Sequence, residues 1–164
     1  MLMMTEVTAK WMDLMIERGF PPLTPHHTQA LTVLMMSRFY TEHLAPAESR
    51  ARASGARASE KEGWGGLLGG APPKLQSFIA QVATGEGKSI VIAMLAVFMV
   101  QLHGLRVHVL ENNAGLLQRD YLQNKPFYDK FDIKCSANLD EVGGQIYYCL
   151  KDAINRRFLR KLVE

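Results

Sequence analysis

The hydrophobic pattern changes character twice along the chain. Between Glu6 and Arg18 the apolar residues Val7, Trp11, Leu14 and Met15 fall on one helical face. Thr5 is placed to cap this helix, and Gly19 to close it in a left-handed conformation. "FPPLT" then breaks the period. A second helix is expected from the Thr24 cap, with Pro25 in its first position, to about His43. Its apolar face is read as Leu31, Leu34, Met35 and Phe39. From Ala45 to Lys74, Ala, Ser, Gly, Pro and charged residues dominate. Such a composition buries too little apolar surface to offset its ordering entropy, so this stretch reads as a mobile insertion.

Beyond the insertion, short apolar runs alternate with helical periods. "SFIAQVA" reads as a buried strand, and Ser89–His103 as an apolar helix closed by Gly104. "RVHVLE" reads as a second strand. "GLLQRDYLQNKPFYDKF" is expected to be helical and bent near Pro126. "IKCSA" and "QIYYCL" supply a third and a fourth strand, and "KDAINRRFLRKLV" a final amphipathic helix. Strands alternating with helices predict an α/β fold, a parallel sheet covered by helices on both faces. The chain divides into N-terminal helices (1–44), a flexible insertion (45–75) and a βα core (76–164).

Composition narrows the class without naming a function. Hydrophobic residues make up 48% and charged residues 21% of the 164, as in ordinary globular proteins. The net charge is +3, from 19 basic and 16 acidic residues, too mild to demand a polyanionic partner. The longest apolar run, Ile90–Val100, is shorter than the ~20 residues of a membrane helix, so no membrane span is expected. Cys135 and Cys149 match no metal or redox spacing and read as buried, reduced thiols of a cytoplasmic protein. His26 and His27, adjacent on a helix, point different ways and make a poor metal pair.

The candidate chemistry lies in "AQVATGEGKS". A strand, a glycine turn and a helix in succession form a phosphate site for physical reasons. Glycines let the backbone close around an anion, and the helix N-terminus adds N–H groups and partial positive charge. Thr84 opens the turn, Gly85, Glu86 and Gly87 form it, Lys88 supplies a charge for the β- and γ-phosphates of ATP, and Ser89 supplies a hydroxyl for Mg²⁺. Val82 stands where the general phosphate-loop pattern has its first glycine, as in the helicase-type variant. In helicase-like ATPases a glutamine upstream reads the adenine edge, because an amide both donates and accepts; Gln29 occupies such a place.

Together, "PHHTQAL", "AQVATGEGKS", "VHVLENNAGLLQRDYLQNKPFYDKF" and "GGQIYYCL" resemble the SecA family of protein-translocating ATPases. The match is to the first half of the family's first, DEAD-like nucleotide-binding domain. The resemblance covers about Pro25–Leu150, apart from the insertion, and suggests a divergent, truncated member. It implies an incomplete P-loop NTPase core of the RecA/helicase kind. It also implies an ATP-hydrolysing parent, with unfolded polypeptide and a membrane translocase as partners of the full-length protein and a peripheral place at the membrane. Ser89 stands for the family's threonine. Ala114 and Gly115 replace its Asp-Tyr, so that aspartate's contacts do not carry over.

The acidic pair that activates water has no clear counterpart. Asp140-Glu141 has the right letters, but "SANL" before it and "VGG" after it read as a loop. Arg119 falls in a block that the resemblance makes structural or substrate-facing, not an arginine finger. ATP binding is therefore expected to survive better than hydrolysis. Two other readings remain open. One is an RNA helicase-like half-domain, although few basic residues in the strand-end loops and no aromatic cluster argue for a nucleic-acid partner. The other is a non-catalytic interaction module with a vestigial loop.

Overall fold

The computed structural model of the chain describes residues 2–44, 77 and 79–163. The expected insertion lies outside the described residues. Helices α1 (Leu2–Glu17) and α2 (His27–Phe39), the latter continued by a π-helical turn at Tyr40–Leu44, come first. They are followed by α3 (Lys88–His103), β1 (Val107–Glu111), α4 (Ala114–Asp129), β2 (Cys135–Ser136), β3 (Ile146–Leu150) and α5 (Lys151–Val163).

The face foreseen for α1 is the one it buries: Val7, Trp11, Leu14 and Met15 all enter the core. Trp11 meets Phe127 of α4 edge to face, with ring centroids 5.3 Å apart. Full burial of such side chains is worth roughly 1.5–3 kcal/mol each. Gly19 closes the helix with φ 78°, as expected. The helix begins at Leu2, however, so Thr5 lies inside it and is not its cap.

The second helix departs further from expectation. It starts at His27, not at Thr24–Pro25, and it buries Val33 and Ser37. Leu31, Leu34 and Met35 are exposed. The polar Ser37 lies on the buried face. Its neighbours Val33 and Met36 pack toward α3, turning the more hydrophobic stripe outward, a choice that periodicity alone could not make.

α3 is apolar almost all round because it is buried almost all round, from Val91 to Val100. It ends where Gly104 takes φ 62° and its N–H reaches the Val100 carbonyl at 2.9 Å. The strands form a parallel sheet in the order β1-β3-β2. Val107, Val109, Ile146 and Tyr148 share the face that joins the core with α1, α3 and α4. There the Tyr128 and Tyr148 hydroxyls lie 2.8 Å apart, and Asn124 Nδ2 donates to Tyr148 Oη at 3.0 Å. His108, Leu110, Tyr147 and Cys149 alternate onto the second face, against which α5 sets Ala153 and Ile154. Helices thus flank the sheet on both sides. Both cysteines are buried and free, and burial pushes the Cys135 thiol up to about 12.

One predicted strand is absent. The segment Ile79–Ala83 that leads into the loop pairs with no strand among the described residues, and Ile79 is 90% exposed. The Ala83 carbonyl is instead taken locally, by the Glu86 N–H at 3.3 Å and by Lys88 Nζ at 2.7 Å. A carbonyl so engaged is withdrawn from a ladder. The described sheet therefore has three strands where four were expected.

Candidate functional site: the glycine loop at the start of α3

Residues 84–89 form a tight turn that opens directly into α3. Two positions require glycine. Gly85 has φ 89° and Gly87 has φ 72°, both in the left-handed region that L side chains rarely adopt. At Gly87 space is also decisive, because a Cβ there would stand 2.5 Å from Gln29 Nε2. The loop is thus folded against α2.

Gln29 makes that contact specific. Its Nε2 donates to the Glu86 carbonyl at 2.8 Å, and its Oε1 accepts from the His26 N–H at 2.8 Å. One donor and one lone pair of the amide remain for a ligand. The two residues are separated by 57 positions, so no local pattern joins them. The structure brings Gln29 and the loop together.

An α-helix leaves its first N–H groups without intrahelical acceptors. Here the Ile90 and Val91 N–H groups both reach the Gly87 carbonyl, at 3.0 and 3.2 Å. Lys88 and Ser89 are left to present their N–H groups at the helix's positive end. Lys88 is exposed and Ser89 half-buried. The Lys88 ammonium donates to the Ala83 carbonyl at 2.7 Å, which holds its charge over the turn. The residue set therefore suits a phosphate chain: a cation, a hydroxyl in the first helical turn, and main-chain donors made close by glycine. Beside it, Thr32, Met36, Val82, Lys88, Val91 and Leu95 help line a largely apolar hollow of about 370 Å³ between α2 and α3.

The other sequence candidates are placed elsewhere. Asp140 and Glu141 sit in the turn before β3. Glu141 accepts from Ser136 Oγ in a short hydrogen bond and pairs with Lys134 Nζ at 3.0 Å. Those two partners hold its carboxyl below the usual range. α3 feeds β1 through the short link 104–106, so the loop at its far end lies toward the opposite end of β1 from that turn. The pair is a loop-ordering device, as its flanking letters suggested. Arg119 is held by Asp120 at 2.7 Å. Ala114 and Gly115 lie in the first turn of α4, which Asn113 caps by accepting from the Leu116 N–H at 2.8 Å.

Among the described residues, no group of three or more His, Cys, Asp or Glu side chains could hold a metal ion. No described helix is long and apolar enough to cross a membrane.

A parallel sheet flanked by helices, one of them opened by a glycine loop, has the architecture of a P-loop NTPase-like domain. The comparison with known families gives this class a name. Residues 26–152 match the family profile described as the SecA DEAD-like domain, and the chain belongs to that family. It is similar to protein translocase subunit SecA 2 of Nitrosospira multiformis, with 30% identity over 95 residues. That stretch covers 52% of this chain and 14% of the bacterial protein, so the chain spans only a small part of that relative's length. No solved structure matches the chain.

Proposed function

We propose that this domain binds ATP with Mg²⁺ through residues 84–89. Lys88 and the N–H groups of Lys88 and Ser89 hold the phosphates, the Ser89 hydroxyl ligates Mg²⁺, and Gln29 reads the adenine edge with its unused donor and lone pair. The metal would neutralise phosphate charge. The observation that supports this reading is the contact between Gln29 and the loop, Nε2 to the Glu86 carbonyl at 2.8 Å, since an amide with a free donor and a free lone pair then stands beside the glycine turn. Thr84, Gly85, Glu86 and Gly87 shape the turn.

Hydrolysis by the chain alone is slow on this reading. The acidic pair with suitable letters serves the turn before β3, and Arg119 is engaged with Asp120. In a longer SecA-like protein, the same nucleotide site would drive movement of an unfolded polypeptide through a membrane translocase. Isothermal titration of the purified chain with ATP and Mg²⁺ tests the binding step. Saturable heat is expected, lost in Lys88→Ala and weakened in Gln29→Ala. No heat at millimolar nucleotide, or full binding in Lys88→Ala, refutes the assignment.

A further inference from the structure

On the second face of the sheet, far from the glycine loop in sequence, the fold gathers a set of groups that no local pattern announces. His108 of β1 stacks on Tyr147 of β3 with ring centroids 5.4 Å apart and planes 15° from parallel. Tyr147 is buried and His108 is exposed, so the outer face of the imidazole is open. The Arg106 guanidinium lies 6.0 Å from the centre of the Tyr147 ring. Arg157 of α5 lines the same hollow, of about 340 Å³. A second hollow, of about 400 Å³, continues along α5 and is lined by Arg156, Arg157 and Arg160. The two share Leu139, Asp140 and Arg157 and so adjoin as one trough with a carboxylate at the join.

The charge balance of this trough is positive. Four guanidinium groups and two carboxylates line it; Glu141 is already paired with Lys134, while Arg157 also donates to the Leu139 carbonyl and Arg156 Nε to the Asp152 carbonyl at 3.2 Å, which leaves their other N–H groups for a ligand. The Asp140 side chain is 91% exposed and only 3.7 Å from Arg157, a screened contact that a stronger anion can displace. Burial, with Arg106 and Arg157 next, lowers the pKa of His108, so the ring is a neutral stacking surface near pH 7.

We propose that this trough binds single-stranded nucleic acid: the guanidinium groups hold successive phosphates, and one base stacks on the open face of His108. Three observations select this partner. Charge spread along two joined hollows suits a chain of phosphates better than a single anion. Guanidinium forks match phosphate geometry. A flat ring set among them is the stacking platform that single strands use. A concave trough also suits a strand better than a membrane surface. The site is separate from the ATP reading and does not depend on it.

Fluorescence anisotropy of the full chain with an end-labelled single-stranded RNA of mixed sequence tests the proposal. Binding is expected at low salt. Four phosphate contacts predict a loss of about 50-fold in affinity on a fourfold rise in salt. The double variant Arg156→Ala/Arg160→Ala should bind at least tenfold more weakly while melting normally and keeping its ATP affinity. His108→Ala should lose about fivefold or more. No binding at low salt, displacement by polyglutamate as effective as by unlabelled RNA, or full affinity in either variant overturns the proposal.

Discussion

Substituting Gly87 by alanine tests the join between loop and helix quantitatively. Gly87 sits at φ 72°, ψ 46°. Holding an alanine there costs about 1–2 kcal/mol. Its Cβ would also meet Gln29 Nε2 at 2.5 Å, so the amide must move away. That displacement breaks the bond to the Glu86 carbonyl and the bond from the His26 N–H, both 2.8 Å long. Exposed hydrogen bonds of this kind are worth about 0.5 kcal/mol each, the low end of the usual range. Gly87→Ala should therefore cost about 2–3 kcal/mol in the native background. In a Gln29→Ala background the clash and both bonds are already gone, and only the backbone term of about 1–2 kcal/mol remains. The coupling between the two sites is then about 1 kcal/mol, within reach of a double-mutant cycle. Urea unfolding followed by circular dichroism supplies the four stabilities. An equal cost for Gly87→Ala in both backgrounds would show that Gln29 does not press on the loop, and the argument for its role would fall with it.

Four further outcomes follow from the core and the second face. Tyr148→Phe removes the hydroxyl shared by Asn124 and Tyr128, and should lower stability by about 1–3 kcal/mol in denaturant unfolding. Phe127→Ala should cost about 3–5 kcal/mol by the same measurement, because Phe127 is fully buried against Trp11 and Phe131. Glu141, held below its ordinary pKa of 4.5 by Ser136 and Lys134, contributes stability that is present above that value. This contribution disappears as pH falls through the lower folded-state pKa, so Ser136→Ala should flatten the acid limb of a stability–pH curve. His108 should titrate below 6.5 by NMR, and its stability contribution should shrink as pH falls below that value. Arg106→Ala should raise that midpoint, and an unmoved midpoint would mean that the guanidinium does not face the ring.

What could be read in advance follows from the range of the interactions involved. α1 was legible because its four buried residues lie at helical spacing with nothing competing. The end of α3 was legible because glycine favours the left-handed turn that closes a helix, here φ 62° at Gly104. Val107–Glu111 and Ile146–Leu150 declared themselves as strands through apolar runs bounded by turn residues. The face of α2 was misread because Ser37 is buried, and a polar residue inside defeats any hydrophobic count. The segment before the loop was misread because its letters suit a strand while its last carbonyl serves the turn. The loop itself was legible from its glycines. Its contact with Gln29 gave no signal, because 57 positions separate Gln29 from Glu86. The Arg106–His108–Tyr147 cluster gave no signal at all, because alternation along two separate strands, with α5 following, creates it.

Among the described residues no strand pairs with Ile79–Ala83, so the described support of the glycine loop comes from elsewhere. A loop backed by a sheet is held from behind. Here the described contacts hold it from the side, through Gln29 on Glu86 and through the packing of α2 against α3. The Ala83 carbonyl also accepts from both the Glu86 N–H and the Lys88 ammonium. A phosphate that takes the ammonium and turns the Glu86 N–H inward must break both bonds. Each exchange subtracts about 1 kcal/mol, or roughly a factor of five, from the affinity of a preformed cradle. The same exchange moves the Glu86 carbonyl to which Gln29 is tied. Whatever reorders residues 85–87 therefore acts on the start of α2, whose outward face carries Leu31, Leu34 and Met35. An anion at the loop is felt first by that helix, and hydrogen exchange of the α2 amides should change on nucleotide binding before that of the strands does.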